Sequence, residues 1–304
     1  MLLHGSGESK LTIAVGGRLR SYVLYQPDGM GNQASAPGGR IPLVIALHGR
    51  LGTGIGMEKL THFEAIAARE KFLLIYPDGI KKSWNDGRGT PAEKEGVDDV
   101  GFIGALIDSA IRHCSVDPKR IYVTGISNGG FMTMRLATEL SDRIAAVAVV
   151  AATMDEETAR HADQGASADS VSGPQVRPVS VLVMHGRKDP LVPFYGGSVR
   201  GGAGGPILSH DSTVRWWVRV DECTHHHLVT EMIPDSAGDG TSAWHRAYPG
   251  GVQGTEVESY VIENGGHTWP GGWQYLPVFM VGKTSRNLDA SAVIWKFFRL
   301  HSRG

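Results

Sequence analysis

The stretch Ile121-Tyr122-Val123-Thr124-Gly125-Ile126-Ser127-Asn128-Gly129-Gly130-Phe131 decides how the rest of the chain is read. Its first four residues are apolar or β-branched and read as a strand, while Phe131 to Leu140 is rich in helix formers. A serine therefore sits where a strand turns sharply into a helix, with glycine two positions before it and two after. Such a turn holds the serine backbone in a strained conformation, and glycine at both flanks lets the strand and helix pass closely. The hydroxyl is pushed outward, and the amides of Ser127 and Asn128 head the helix, where partial positive charge suits a developing oxyanion. This is the pattern of a nucleophile elbow.

A serine hydroxyl is weakly nucleophilic at neutral pH, so the elbow requires a histidine base and an acid that fixes the histidine tautomer. On this kind of sheet they follow in the order serine, acid, histidine. The apolar run Val179 to Met184 leads into His185-Gly186-Arg187-Lys188-Asp189-Pro190-Leu191-Val192-Pro193, which makes Asp189 the candidate acid. The strand-like run Glu256 to Ile262 leads into Glu263-Asn264-Gly265-Gly266-His267-Thr268-Trp269-Pro270, which makes His267 the candidate base. His185, at a strand end, reads as an ordinary packing residue. Of the other histidines, the run His225-His226-His227 reads as solvated rather than metal-binding, because adjacent side chains point apart and no further ligand completes a known spacing.

The oxyanion needs two donors. One is the Asn128 amide; the other falls in the loop after the apolar strand Leu43 to Leu47, where His48-Gly49-Arg50 assigns it to the Arg50 amide, with the Arg50 side chain near the acyl site. His48, Trp84 in Ser83-Trp84-Asn85-Asp86, and Trp269 are the candidate substrate-contacting residues, since loop aromatics favour flat or extended substrates, with anchoring of its loop into the body the alternative for Trp84. Trp216-Trp217, adjacent on a helical segment, cannot share a face, so at least one belongs to the core.

Around these loops the chain alternates strand and helix. Leu11 to Val15 and Leu19 to Gln26 form a hairpin about Gly16-Gly17, and Met57 to Lys71 reads as one helix. Phe72 to Tyr76 is a strand, and Val100 to Arg112 a helix capped by Asp98 or Asp99. Ile144 to Ala151 is a further apolar run, Asp155 to Gln175 a helix then loop, and Leu288 to Leu300 the closing helix. Gly196 to Gly205 reads as a rim loop or, equally by composition, a disordered surface loop. This predicts an α/β fold: a mostly parallel central sheet with helices on both faces, in a single domain over residues 1–304, of which 1–10 are a loose N-terminal segment.

Composition narrows the partners. Charged residues are 20% of the 304 and the net charge is −1, so no basic face attracts nucleic acid. No apolar run is long enough to cross a bilayer, which points to no membrane partner. Two cysteines, Cys114 and Cys223, allow one disulfide, and the sequence leaves open whether they pair. Met1-Leu2-Leu3-His4-Gly5 lacks the regions of a signal peptide.

Taken with Leu47-His48-Gly49, Tyr76-Pro77-Asp78-Gly79, Val97-Asp98-Asp99-Val100-Gly101-Phe102 and Val116-Asp117-Pro118-Lys119-Arg120, these segments resemble the polyhydroxybutyrate depolymerase-like and feruloyl esterase-like serine esterases of the α/β-hydrolase superfamily. The resemblance implies ester hydrolysis without metal or organic cofactor, with Ser127, Asp189 and His267 as the matching triad. It implies feruloyl, acetyl or short hydroxyalkanoate-type esters as substrates, with polyester depolymerisation or acyl transfer by the same triad as alternatives. It favours a secreted protein, whereas the N-terminal residues would also suit the cytoplasm.

Overall fold

The apolar runs become neighbours in one ten-stranded sheet in the computed structural model, which describes residues 7–28, 39–165, 176–200, 205–223 and 229–304. Its strands are β1 (Gly7–Val15), β2 (Arg18–Gln26), β3 (Ile41–Leu47), β4 (Leu73–Pro77), β5 (Val116–Ile126), β6 (Ala146–Val150), β7 (Ser180–Gly186), β10 (Val229–Ile233), β11 (Ser242–Tyr248) and β12 (Val257–Glu263), while β8 (Gly197–Ser198) and β9 (Pro206–Ile207) form a separate short ribbon. The order across the sheet is β1-β2-β4-β3-β5-β6-β7-β12-β11-β10. β4, β3, β5, β6, β7 and β12 run parallel, and an antiparallel pair flanks them on each side.

The central strands read as unbroken apolar runs because both faces are covered. Ile45, Val123 and Val183 enter one core with helices α4 (Asp99–His113), α5 (Asn128–Glu139) and α7 (His210–Val220). Val44, Tyr122 and Leu182 enter the other, with α1 (Gly54–Thr61), α2 (Phe63–Glu70) and α9 (Ala290–Phe298). Three more helices, α3 (Pro91–Lys94), α6 (Glu156–Gly165) and α8 (Val278–Val281), belong to the loops. Asp98 caps α4, its carboxylate accepting the Gly101 amide at 2.7 Å.

Several boundaries differ from expectation. The helix expected over 57–71 is two helices, because His62 takes a left-handed φ of 50° that ends α1 and starts α2. Residues 7–10, expected to be loose, pair with Val23–Gln26 as the first half of β1. The edge strand β10 and its neighbour β11 were not legible. Trp216 and Trp217 are both buried, with their indole N–H groups donating to Asp163 Oδ1 and Met134 Sδ. Cys114 and Cys223 are free thiols. His225-His226-His227 and residues 201–204 of the expected rim loop lie outside the described residues. No helix among the described residues is long and apolar enough to cross a membrane.

Candidate active site

β5 delivers Ser127 to the carboxyl edge of the sheet with φ 57° and ψ −123°, a conformation costing about 1–3 kcal/mol for a residue with a Cβ. The surroundings enforce it. Ser127 N–H donates to Val150 O on the adjoining strand at 3.0 Å, and Ser127 O accepts the Phe131 amide at 2.9 Å to open α5. The flanking glycines are required by contact: a Cβ on Gly125 would lie 2.4 Å from Gly129 O, and one on Gly129 would lie 2.3 Å from Leu47 O. The expectation that the Ser127 amide shares in the oxyanion site is corrected, because Val150 takes that proton; Asn128 is the first amide of the helix.

β7 and β12, two and three strands along from β5, carry the acid and the base to the same edge. Asp189 and His267 are both buried, and His267 Nδ1 lies 2.8 Å from Asp189 Oδ2. A carboxylate only accepts, so Nδ1 carries the proton and Nε2 keeps its lone pair. Asp189 Oδ1 accepts the Leu191 and Val192 amides, each at 2.8 Å. Burial alone would push the Asp189 carboxyl up, but the charge and hydrogen bonds of His267 and His185 outweigh it and hold the carboxyl well below the usual carboxylate range. The His267 loop is tied down by His267 N–H to Val281 O and by Tyr275 Oη–H to His267 O at 2.6 Å.

The loop after β3 packs directly on the elbow, since a Cβ on Gly49 would sit 3.3 Å from Ser127 Cβ. Gly49 to Gly52 forms a turn closed by Gly52 N–H to Gly49 O at 3.0 Å, with Leu51 at φ 67°, a type II geometry that exposes Arg50. Two of the residues expected to touch substrate, Trp84 and His48, instead build this loop's foundation, and the third, Trp269, anchors the His267 loop. Trp84 is fully buried; its indole N–H donates to His48 O at 2.8 Å and its ring packs 4.9 Å from the His48 ring. His48 is buried as well, its Nε2 accepting the Gly79 amide at 3.0 Å and its Nδ1–H donating to Gly49 O at 2.7 Å. Burial lowers the His48 pKa, against the opposing pull of Gly49 O and Asp78, which suits the neutral ring these two bonds require. Trp269 is buried against Phe63, with its indole N–H on Ser291 Oγ at 3.1 Å. The substrate-contact expectation for His48 and Trp269 is therefore corrected, and Trp84 takes its alternative of anchoring its loop: their polar atoms are spent on holding loops.

A buried pair that sequence reading missed completes this framework. Asn128 Oδ1 accepts the Trp84 amide at 2.8 Å, and Asn128 Nδ2 donates to Trp84 O at 3.1 Å and to Asp86 Oδ2 at 2.6 Å. Asp86 Oδ2 also accepts Arg88 Nη2 at 2.6 Å, while the Arg88 guanidinium lies 3.5 Å from the Phe131 ring centre. Both loops of the expected oxyanion site thus hang on one network through Trp84. The glycine-flanked acid–base spacing Asp86-Gly87-Arg88-Gly89 was its only sequence signal.

A mixed, mostly parallel sheet with a strained serine at a central strand-to-helix elbow and a histidine–carboxylate pair farther along the same edge defines an α/β-hydrolase. The chain belongs to the Esterase PHB depolymerase family, whose profile matches residues 20–186, and is an esterase of that family. NocK of Nocardia uniformis subsp. tsuyamanensis, named only as a candidate esterase, is 32% identical over 289 residues, covering 92% of this chain and 79% of that one. Feruloyl esterase B of Piromyces equi is 26% identical, covering 86% of this chain and 45% of its own length. Poly(3-hydroxyalkanoate) depolymerase C of Paucimonas lemoignei is 27% identical, covering 75% and 55%. The chain spans about half the length of these last two. Among solved structures, the acetyl xylan esterase from Aspergillus awamori superposes with a TM-score of 0.56 at 14% identity, covering 86% of this chain and 94% of that one, which speaks for the fold alone.

Proposed function

We propose that the protein hydrolyses carboxylic esters through an acyl-enzyme on Ser127. The observation that carries this is the His267–Asp189 bond of 2.8 Å, which leaves His267 Nε2 as the ring nitrogen able to take a proton, at the sheet edge where Ser127 is held strained. Ser127 Oγ attacks the ester carbonyl as His267 Nε2 takes its proton, and Asp189 stabilises the imidazolium. The Asn128 and Arg50 amides hold the oxyanion. His267 then gives the proton to the departing alcohol, and water activated by the same nitrogen releases the acid. Fluorophosphonate labelling tests the assignment: one adduct per chain on Ser127 is expected, and a labelled Ser127→Ala chain contradicts it.

For substrate we propose feruloyl, acetyl or short hydroxyalkanoate-type esters. One observation favours a second reading, depolymerisation of apolar polyesters. The segment that follows His267 exposes Trp273, Val278 and Phe279 at 56%, 50% and 86%, a run of apolar surface that a hydrophobic chain could cover. A panel of p-nitrophenyl acetate, methyl ferulate, acetylated xylan and a hydroxybutyrate oligomer separates the two: highest kcat/KM on the oligomer supports depolymerisation, and highest on the small aryl or acetyl esters supports the first reading.

A further inference from the structure

Behind the acid lies a second histidine that no step of the reaction above uses. His185, the penultimate residue of β7, is buried, and its Nε2 lies 3.1 Å from Val192 O and 3.3 Å from Asp189 Oδ2. A carbonyl oxygen only accepts, so Nε2 carries the proton, and the carboxylate oxygen lies 3.3 Å from the same nitrogen. Asp189 Oδ2 is then approached by two imidazoles, His267 at 2.8 Å and His185 at 3.3 Å, while two backbone amides occupy Oδ1. Four donors account for about all the acceptor capacity a carboxylate has. His185 is wedged in turn: Phe194 stands 5.5 Å from its ring and His210 5.9 Å, and His210 Nε2 is anchored on Ser259 Oγ at 2.7 Å.

We propose that His185 is a positioning residue for the acid–base pair, its Nε2–H holding Asp189 Oδ2 so that the carboxylate keeps one orientation, and a divided charge, while His267 gains and loses a proton. The proposal rests on the assignment of Asp189 and His267 made above. The surrounding groups leave this role to His185. Tyr275, from the His267 loop, has its phenol pushed up by burial and by Asp189 and stays neutral. His210, from α7, is held well below the ordinary histidine range by burial, with His185, Arg187 and Arg246 adding to it. Arg187, in the acid loop, is paired with Glu263 at 2.8 Å and stays charged throughout. Removing the His185 donor concentrates the carboxylate charge on His267, which favours the imidazolium and moves the acid limb of kcat/KM to higher pH.

The test has three arms. In the unaltered protein, ring-nitrogen NMR is expected to show His185 as the Nε2–H tautomer; a proton on Nδ1 alone overturns the proposal without any substitution. His185→Phe keeps the ring volume and loses the donor, and is expected to lower kcat about 10- to 100-fold with KM little changed and the acid limb shifted up. His185→Gln, whose amide nitrogen can reach the Nε2 position, is expected to recover most of kcat and the wild-type limb. A wild-type rate and limb in His185→Phe, or no recovery in His185→Gln, overturns it, and if His185→Phe does not fold, the tautomer and the glutamine variant still decide. Fluorophosphonate labelling of wild-type Ser127 is done alongside: loss of labelling strikes the esterase assignment, whereas intact labelling with indifferent His185 variants strikes only this proposal.

Discussion

At the scale of single residues, the candidate nucleophile, acid and base were legible because their immediate neighbours constrain them. Ser127 lies between glycines whose absent Cβ atoms would strike Gly129 and Leu47, and Asp189 and His267 each follow a strand that reads plainly as apolar. The burial of His48, Trp84 and Trp269 was not legible because it depends on partners far along the chain: Gly79 and Trp84 for His48, Asn128 for the Trp84 loop, Ser291 for Trp269. Ser127→Ala is expected to cut kcat/KM by about 10⁴-fold or more with the fold intact by circular dichroism. Trp84→Phe removes the donor to His48 O and leaves a buried carbonyl unpaired, which costs about 1–3 kcal/mol in thermal or denaturant unfolding. Because that carbonyl belongs to the loop carrying Arg50, the same variant is expected to lose kcat more than KM, and an unchanged kcat would separate the network from the oxyanion site.

Among the elements, the buried parallel strands and the capped helix α4 were readable, since unbroken apolar runs and an Asp-capped apolar periodicity have few other solutions. The break between α1 and α2 was not, because the apolar spacing continues through His62 and only its left-handed φ of 50° interrupts the helix. β10 and β11 lie at the sheet margin, where Met232 and Trp244 stay exposed and the sequence carries little apolar signal. His62 is exposed and its amide already caps α1 through Glu58 O, so glycine fits the position better than histidine. His62→Gly is expected to stabilise by up to about 1 kcal/mol without altering kcat, and a loss of stability in calorimetry would show that the side chain contributes more than its backbone strain costs.

For the molecule as a whole, two cores on opposite faces of one sheet carry the fold, and no covalent cross-link joins the cysteines. A reducing agent is accordingly expected to leave Tm unchanged. One buried carboxyl should make stability depend on pH. Asp221 is fully buried with Oδ1 on the Val179 amide at 3.1 Å, and burial pushes its pKa up to about 8 against that hydrogen bond. The unfolded chain loses this proton near the ordinary carboxyl value of about 4, the folded one only near 8, so the native state binds the extra proton between those values. Stability from this residue is present below about pH 4 and declines as pH rises toward 8; Asp221→Asn is expected to flatten that slope in denaturant titrations at pH 5 and pH 8. The reaction itself is tested most directly by rapid mixing with p-nitrophenyl acetate followed by peptide mapping. The account predicts a burst of one nitrophenolate per chain and an acetyl group on Ser127, both lost in Ser127→Ala and His267→Ala. Steady hydrolysis at the wild-type rate by Ser127→Ala, or the acetyl group on another residue, would contradict it.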